Sequence, residues 1–183
     1  MHTLRTEDRD ASMTNLVSFH AVPMPRGLAF AIQHIEKHGA PVAIFSADRT
    51  VKAISEHNKQ FGTNLHAQQF LFDNQNRPGF NPANAPARTS HCYFADGNPA
   101  YKNSRGRIMS AGGRIPWYML GIDISDKGRR EDCREFLRVA HKLGYEFIQP
   151  YTSGSEQHHV VCVKSPVPTL EHWNVISKAR KGS

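Results

Sequence analysis

The residues best suited to chemistry in this sequence are histidines and carboxylates that stand beside turns, where predicted strands begin or end. His91 follows a polar loop, Asp123 ends the apolar run "MLGID", and "EQHH" runs from Glu156 to His159. An aspartate beside isoleucines is costly to bury unless it is paired or binds a cation. A catalytic zinc ion takes three His, Asp or Glu ligands and uses a nearby carboxylate as base. His91, Asp123 and one histidine of the pair fit such a ligand set, with Glu156 as the spare base.

Residue types alone leave a second interpretation open, in which His91 is an ordinary hydrogen-bonded histidine and Asp123 caps a turn without any metal. Alternate residues of a strand face opposite sides, so we expect only one of His158 and His159 to face a shared pocket. Glu156 precedes the strand, and alternation therefore does not set its direction.

Other histidines occupy helical positions among polar neighbours, where a solvated or capping role is the usual one. They are His34, His38, His57 and His141. We do not expect them to bind a metal.

Composition predicts one globular domain of 183 residues, 39% of them hydrophobic, that needs no disulfides for its core. Its three cysteines lack the CxxC spacing of a zinc site and are expected to be reduced thiols. No run approaches the roughly 18 apolar residues of a membrane span. The N-terminus lacks the apolar region of a signal peptide, so we expect synthesis in the cytoplasm and no membrane partner.

The net charge of +7 favours an anionic partner, and both nucleic acid and cell-wall polymers qualify. The basic residues are spread along the chain rather than clustered on one segment. We therefore expect no nucleic-acid partner.

The chain pattern predicts an α+β domain over residues 16–183, after a mobile leader at 1–15. Apolar spacing and the following glycines predict helices in "RGLAFAIQHIEKHG" and "RTVKAISEHNKQFG", with the strand "APVAIFSA" between them. A short third helix is expected in "LHAQQFLFDNQ", followed by a loop. A long insertion follows at about 92–118, and loops of this length are usually functional or disordered.

The second half of the chain predicts antiparallel strands and two more helices. The strands are "WYMLGIDI", "YEFIQPY" and "HHVVCVK", and the helices are "RREDCREFLRVAHKLG" and a last one with Thr169 as its N-cap. We expect the helices to pack on a small, mainly antiparallel sheet, with the zinc site in a cleft at that sheet.

Four short elements, taken in order, resemble the zinc D,D-peptidases of the VanX/VanY type, including the peptidoglycan-cleaving domains of bacteriophage lysins. They are "SADRT", "TSH", "LGID" and "EQHH", and the likeness covers about residues 40 to 163. Four elements in the same order indicate a family more specifically than any one of them does.

The resemblance implies that His91, Asp123 and His159 bind zinc and that Glu156 is the general base. It places Arg49 at the substrate, where a guanidinium holds a carboxylate or stabilises an oxyanion. Ser90 is a weaker candidate for a supporting hydrogen bond to substrate. His158 then faces away from the zinc ion or lines the cleft.

This chain departs from the family pattern in two respects. His91 and Asp123 are separated by 31 residues instead of a few, so the insertion must leave the site and return to it. Ala47 stands where glycine is usual, and Gly121 where alanine is common. We expect the insertion to act as a lid or as one wall of the cleft.

The resemblance implies a zinc metallopeptidase, a hydrolase of peptidoglycan peptides that acts either as a D,D-carboxypeptidase or as an endopeptidase on the stem or cross-link. An endolysin of this kind is made in an infected host cell, acts on the cell wall after release, and is expected to be a monomer. Two alternatives remain open: a non-catalytic wall-binding module, which predicts no metal, and a metal-dependent nuclease.

Overall fold

A computed structural model describes residues 15–92, 101–102, 108–110, 120–126, 133–151 and 157–166. The predicted leader, most of the insertion, Glu156 and the predicted C-terminal helix with Thr169 lie outside the described residues. Across the described ranges, no helix combines the length and apolar character needed to cross a membrane.

The described part begins with a two-stranded antiparallel hairpin that the sequence pattern does not predict. Strand β1 (Leu16–Phe19) pairs with β2 (Val22–Pro25). The two turn residues, His20 and Ala21, have φ of 52° and 61°. Two-residue hairpin turns that need positive φ usually contain glycine or asparagine, so this hairpin lacks the expected signal.

Helices α1 (Arg26–Lys37) and α2 (Val51–Phe61) lie where the apolar spacing predicts them. Thr50 caps α2 by accepting a hydrogen bond from the Ala53 N–H, and Gly62 ends it with a φ of 64°. That left-handed conformation favours glycine, as the sequence indicates. A short helix α3 (Gln68–Asp73) and a 3-10 turn (Pro86–Arg88) follow.

The central sheet has four antiparallel strands in the order β3-β6-β8-β7. These are β3 (Ala43–Ser46), β6 (Gly121–Ser125), β7 (Glu146–Ile148) and β8 (His159–Lys164). Helix α4 (Arg134–Lys142) precedes β7, and two short strands in the insertion, β4 (Tyr101–Lys102) and β5 (Ile108–Ser110), pair with each other. The predicted α+β class and mainly antiparallel sheet are confirmed.

The core lies between one face of this sheet and helices α1 and α4. Its fully buried side chains include Leu28 and Ile32 of α1, Phe136 of α4, and Ile122 and Ile124 of β6. Cys92, Cys133 and Cys162 are all buried and none of them forms a disulfide, as the reduced-thiol prediction requires. Because Ile122 and Ile124 point into the core, Asp123 between them faces the opposite side of the sheet.

Candidate metal centre

The sheet register brings the candidate ligands together. Asp123 in the centre of β6 is opposite Ser46 of β3 on one side and His159 of β8 on the other. His91 lies in the loop after the 3-10 turn. Backbone hydrogen bonds hold this loop in place on both sides. Arg49 N–H donates to the His91 carbonyl at 2.6 Å, and Gly121 N–H donates to the Ser90 carbonyl at 2.7 Å.

His91, Asp123 and His159 are all buried, and one ligand atom from each lies within 4.8 Å of the other two. Among the residues that the structure describes, this is the group that satisfies the geometry of a metal site. The predicted ligand set is therefore brought together, although His91 and Asp123 are far apart in the sequence. A metal ion can be held here; the geometry does not specify which one.

The hydrogen bonds of His91 show which of its nitrogens is available to a metal. Its Nδ1–H donates to the Ala47 carbonyl at 2.9 Å, because a carbonyl oxygen can only accept. Burial lowers the pKa of His91 more than the neighbouring Asp123 carboxylate raises it. The other ring nitrogen, Nε2, lies 3.2 Å from Asp123 Oδ1. A cation between these two atoms would be attracted by both of them.

His159 reaches the same carboxylate oxygen through its other nitrogen. Nδ1 of His159 lies 3.1 Å from Asp123 Oδ1, and Nε2 lies 2.9 Å from Ser90 Oγ. When Nδ1 binds a metal, Nε2–H can donate to the Ser90 hydroxyl, which orients the ring as partners of ligand histidines usually do. Ser90 is therefore placed to orient His159, and the supporting hydrogen bond to substrate that the resemblance implies stays a prediction.

Asp123 is ionised although it is buried. Burial raises the pKa of Asp123. This effect is outweighed by the charge of His91, by hydrogen bonds from His159 and His91, and by the charge of Arg49, so the net shift of the pKa is strongly downward. Arg49 donates to the second carboxylate oxygen, Oδ2, at 2.9 Å. Oδ1 is therefore the oxygen that faces the histidines.

The Arg49 side chain makes three hydrogen bonds within the protein, so it has a structural role as well as the expected role at the substrate. Its Nε–H donates to Ser46 Oγ at 2.6 Å and its NH1 group donates to Gln68 Oε1 at 3.1 Å, in addition to the bond with Asp123. A guanidinium has five N–H donors, and these bonds use three of them. The side chain is 22% exposed, so its edge still reaches the surface beside the carboxylate.

The expectation from strand alternation is wrong for His158. Its Nε2 lies 3.5 Å from Asp123 Oδ1, the same oxygen that His91 and His159 approach. Strand β8 begins only at His159, so His158 belongs to the preceding turn and alternation does not apply to it. Of the two roles expected for His158, lining the site matches the structure. Its buried Nδ1 has no hydrogen-bond partner among the described residues.

Two neighbouring residues, Gln68 and Tyr151, had no recognised signal in the sequence, and a third, Gly121, was noted only as a departure from the family pattern. Gln68 anchors Arg49 and also donates to the Asn84 carbonyl at 2.8 Å. Tyr151 is 52% exposed, and its ring centroid lies 6.2 Å from that of His159. Gly121 lies so close to the site that a Cβ there would overlap the Ser90 side chain and approach His159 Cε1 to 2.6 Å.

The close approach at Gly121 leads to a first prediction. Gly121→Ala should lower the affinity of this site for a divalent metal ion by about 10–100-fold, the range typical for residues that orient metal ligands. Competition with a chromogenic chelator measures this. Ser90 Oγ, which holds the ring of His159, is the nearest obstacle to the added methyl group. Wild-type affinity in this variant would show that the ring of His159 does not depend on this space.

Asp48, next to Arg49, is a second buried carboxylate whose charge is not matched by a basic partner among the described contacts. It is 2% exposed and accepts a hydrogen bond from the Thr50 N–H at 3.0 Å. Burial raises the pKa of Asp48 to about 7, with the bonds to Thr50 opposing the shift. The folded state thus binds this proton more tightly than the unfolded state does, so protonation of Asp48 stabilises the fold. This stabilisation is lost as the pH rises from about 4 through about 7.

Asp48→Asn should remove this pH dependence, because an amide oxygen accepts the same hydrogen bond without ionising. We expect the unfolding free energy of Asp48→Asn, relative to that of wild type, to be about 3 kcal/mol higher at pH 8 than at pH 5. Urea unfolding at both pH values measures it. Asp73→Asn, at an exposed carboxylate of α3, is the matched control and should show little change. An equal gain at both pH values would contradict the explanation.

No match to this chain is found among protein-family models, curated proteins or solved structures.

Proposed function

We propose that this chain is a zinc-dependent peptidase that hydrolyses peptide bonds of bacterial peptidoglycan. The observation that carries the proposal is the buried group of two imidazoles and one carboxylate, His91, Asp123 and His159. Nitrogen and oxygen donors in this ratio suit zinc in catalytic sites. The four ordered elements that resemble the VanX/VanY-type peptidases support the same class.

A zinc ion in such a site makes water a nucleophile at neutral pH and polarises a carbonyl group. The chain supplies the other functions. Arg49 holds Oδ2 of Asp123, so that Oδ1 stays directed at the histidines. Ser90 fixes the orientation of His159. In the proposal Glu156 takes a proton from the attacking water and passes it to the leaving amine.

The substrate side of the site lies where Arg49 and Tyr151 reach the surface. Arg49 suits the terminal carboxylate of a D,D-carboxypeptidase substrate or the oxyanion formed during hydrolysis. The half-exposed ring of Tyr151 offers an apolar wall beside His159. His158 completes the polar lining next to Asp123. The net charge of +7 favours association with an anionic cell wall.

The test is digestion of purified peptidoglycan with zinc-loaded and chelator-treated protein, followed by mass spectrometry of the soluble fragments. Loss of a terminal D-alanine identifies a carboxypeptidase, and new amino termini within the stem or cross-link identify an endopeptidase. Peptidoglycan that binds the protein but remains intact in the presence of zinc would indicate a wall-binding module and contradict the proposal. Cleavage of nucleic acid by the same zinc-loaded protein would favour a nuclease instead.

In this proposal the protein acts as a monomer of the endolysin type, made in an infected host cell and active on the wall after release. Zinc is its cofactor, and peptidoglycan peptides are its partners.

A further inference from the structure

A second polar cluster lies away from the metal centre, where the β1–β2 hairpin packs on α2. Ser18 Oγ of β1 lies 2.8 Å from His57 Nε2. His57 Nδ1 lies 2.8 Å from Thr63 Oγ1, and Thr63 Oγ1 lies 2.8 Å from Asn58 Oδ1. His57 is only 4% exposed, so the expectation of a solvated or capping histidine is wrong. The sequence gives no signal for this cluster because it depends on the unpredicted hairpin.

The direction of every hydrogen bond in this cluster follows from the amide of Asn58. Its Oδ1 accepts from the Leu65 N–H and its Nδ2 donates to the Leu65 carbonyl, both at 2.9 Å, which fixes the orientation of the amide. Thr63 must then donate its single hydroxyl proton to Oδ1 of Asn58. It can only accept from His57, so Nδ1 of His57 carries the proton. Nε2 is therefore an acceptor, and Ser18 donates to it.

The result is a serine hydroxyl bonded to a basic imidazole nitrogen whose opposite side is anchored. Burial lowers the pKa of His57, which keeps the ring neutral near pH 7 and its Nε2 lone pair available. A nucleophile, a base within hydrogen-bond reach and a third group that orients the base are the three parts of an activated serine. Here the third group is a threonine hydroxyl that is itself fixed by Asn58.

A cavity of about 300 Å³ opens beside this serine and includes both Ser18 and His57 in its wall. Leu16, Pro23 and Phe61 contribute apolar surface to it, and Glu56 contributes a carboxylate. Ser18 is exposed, so a ligand in the cavity can reach its hydroxyl. The apolar wall suits a small acyl group, and Glu56 disfavours substrates that carry a negative charge.

We propose that Ser18 is the nucleophile of a second, metal-independent site that accepts acyl groups from small neutral esters, with His57 as its general base. Thr63 is a positioning residue that sets the tautomer of His57. The site shares none of these residues with the metal centre.

The reaction balances without any further reagent. Ser18 Oγ attacks the carbonyl carbon of the ester while its proton passes to His57 Nε2. Collapse of the tetrahedral adduct breaks the bond to the leaving oxygen, and the proton on Nε2 departs with the alcohol. Water then attacks the acyl-serine with help from the same nitrogen, which releases the acid and restores the hydroxyl of Ser18.

The experiment uses the full chain, with and without chelator, and an alkyl fluorophosphonate as the probe. In the labelling step a bond forms between Ser18 Oγ and phosphorus, the phosphorus–fluorine bond breaks, and the serine proton leaves with fluoride. Peptide mapping by mass spectrometry locates the label. We expect label on Ser18 at equal rates with and without chelator, and none on Ser55, an exposed serine of α2 whose hydroxyl donates to the Lys52 carbonyl.

Variants separate activation from mere exposure. His57→Gln should slow labelling of Ser18 by about 100-fold or more, within the range for loss of a general base. Thr63→Val should slow it and Thr63→Ser should restore it, because only the serine retains the hydroxyl that sets the tautomer. Ser55→Ala should leave the rate unchanged. Labelling of Ser18 at the wild-type rate in His57→Gln, or failure of Ser18 to label in the folded wild-type chain, overturns the proposal.

Discussion

Replacing His159 with alanine should abolish stoichiometric zinc binding, whereas replacing its neighbour His158 should leave zinc bound. His159 Nδ1 lies with His91 and Asp123 in a group whose ligand atoms are within 4.8 Å of one another. His158 also approaches Asp123 Oδ1, at 3.5 Å, but does not belong to that group. We expect His159→Ala to lower the zinc affinity by more than about 100-fold. For His158→Ala we expect a loss of about 10–100-fold or less, which is typical of residues that support a metal ligand.

Elemental analysis after dialysis against a weak chelator measures both variants. The two histidines are adjacent and similarly buried, so each variant is the matched control for the other. If His159→Ala unfolds, His159→Gln serves instead, because its amide can still bond to Ser90. Loss of zinc in His158→Ala with retention in His159→Ala would assign the third ligand to His158.

The second large effect is expected at Glu156. Glu156→Gln should retain zinc and lower peptidoglycan hydrolysis by about 10²–10⁴-fold, the range for loss of a general acid–base group. The reason is that an amide cannot take a proton from water, while the proposed metal ligands are unchanged. Activity is measured by the release of soluble peptides, and zinc content is measured on the same sample.

Glu146→Gln is the control for this experiment. Glu146 is an exposed carboxylate of β7, opposite Lys164 at the far end of β8 from His159. Its substitution should change neither zinc content nor activity. Normal hydrolysis by Glu156→Gln would remove Glu156 from the proposed mechanism, and loss of zinc from this variant would make it a ligand.

The helices α1 and α2 were predictable because each is specified by its own residues. Apolar positions three and four apart set the buried face of α1, and Gly62 sets the end of α2. The hairpin β1–β2 was not predictable in the same way. Its turn places His20 and Ala21 at positive φ without the glycine or asparagine that marks such turns.

The candidate ligands were identified from residue type, order and resemblance, but their connections were not. That Arg49 binds Asp123 depends on pairing between β3 and β6, strands that are distant in the sequence. The position of His158 depends on the first residue of β8, and element boundaries are the least reliable part of a sequence-based prediction. The need for Gly121 arises only when the β6 backbone meets Ser90 and His159.

The most direct test of the metal centre is anomalous diffraction at the zinc absorption edge from crystals of the zinc-loaded protein. We expect one strong peak bonded to His91 Nε2, the Asp123 carboxylate and His159 Nδ1, at the roughly 2.0–2.2 Å typical of zinc–nitrogen and zinc–oxygen bonds. A zinc-saturated crystal with no peak among these three residues, or with zinc only on surface histidines, would contradict it.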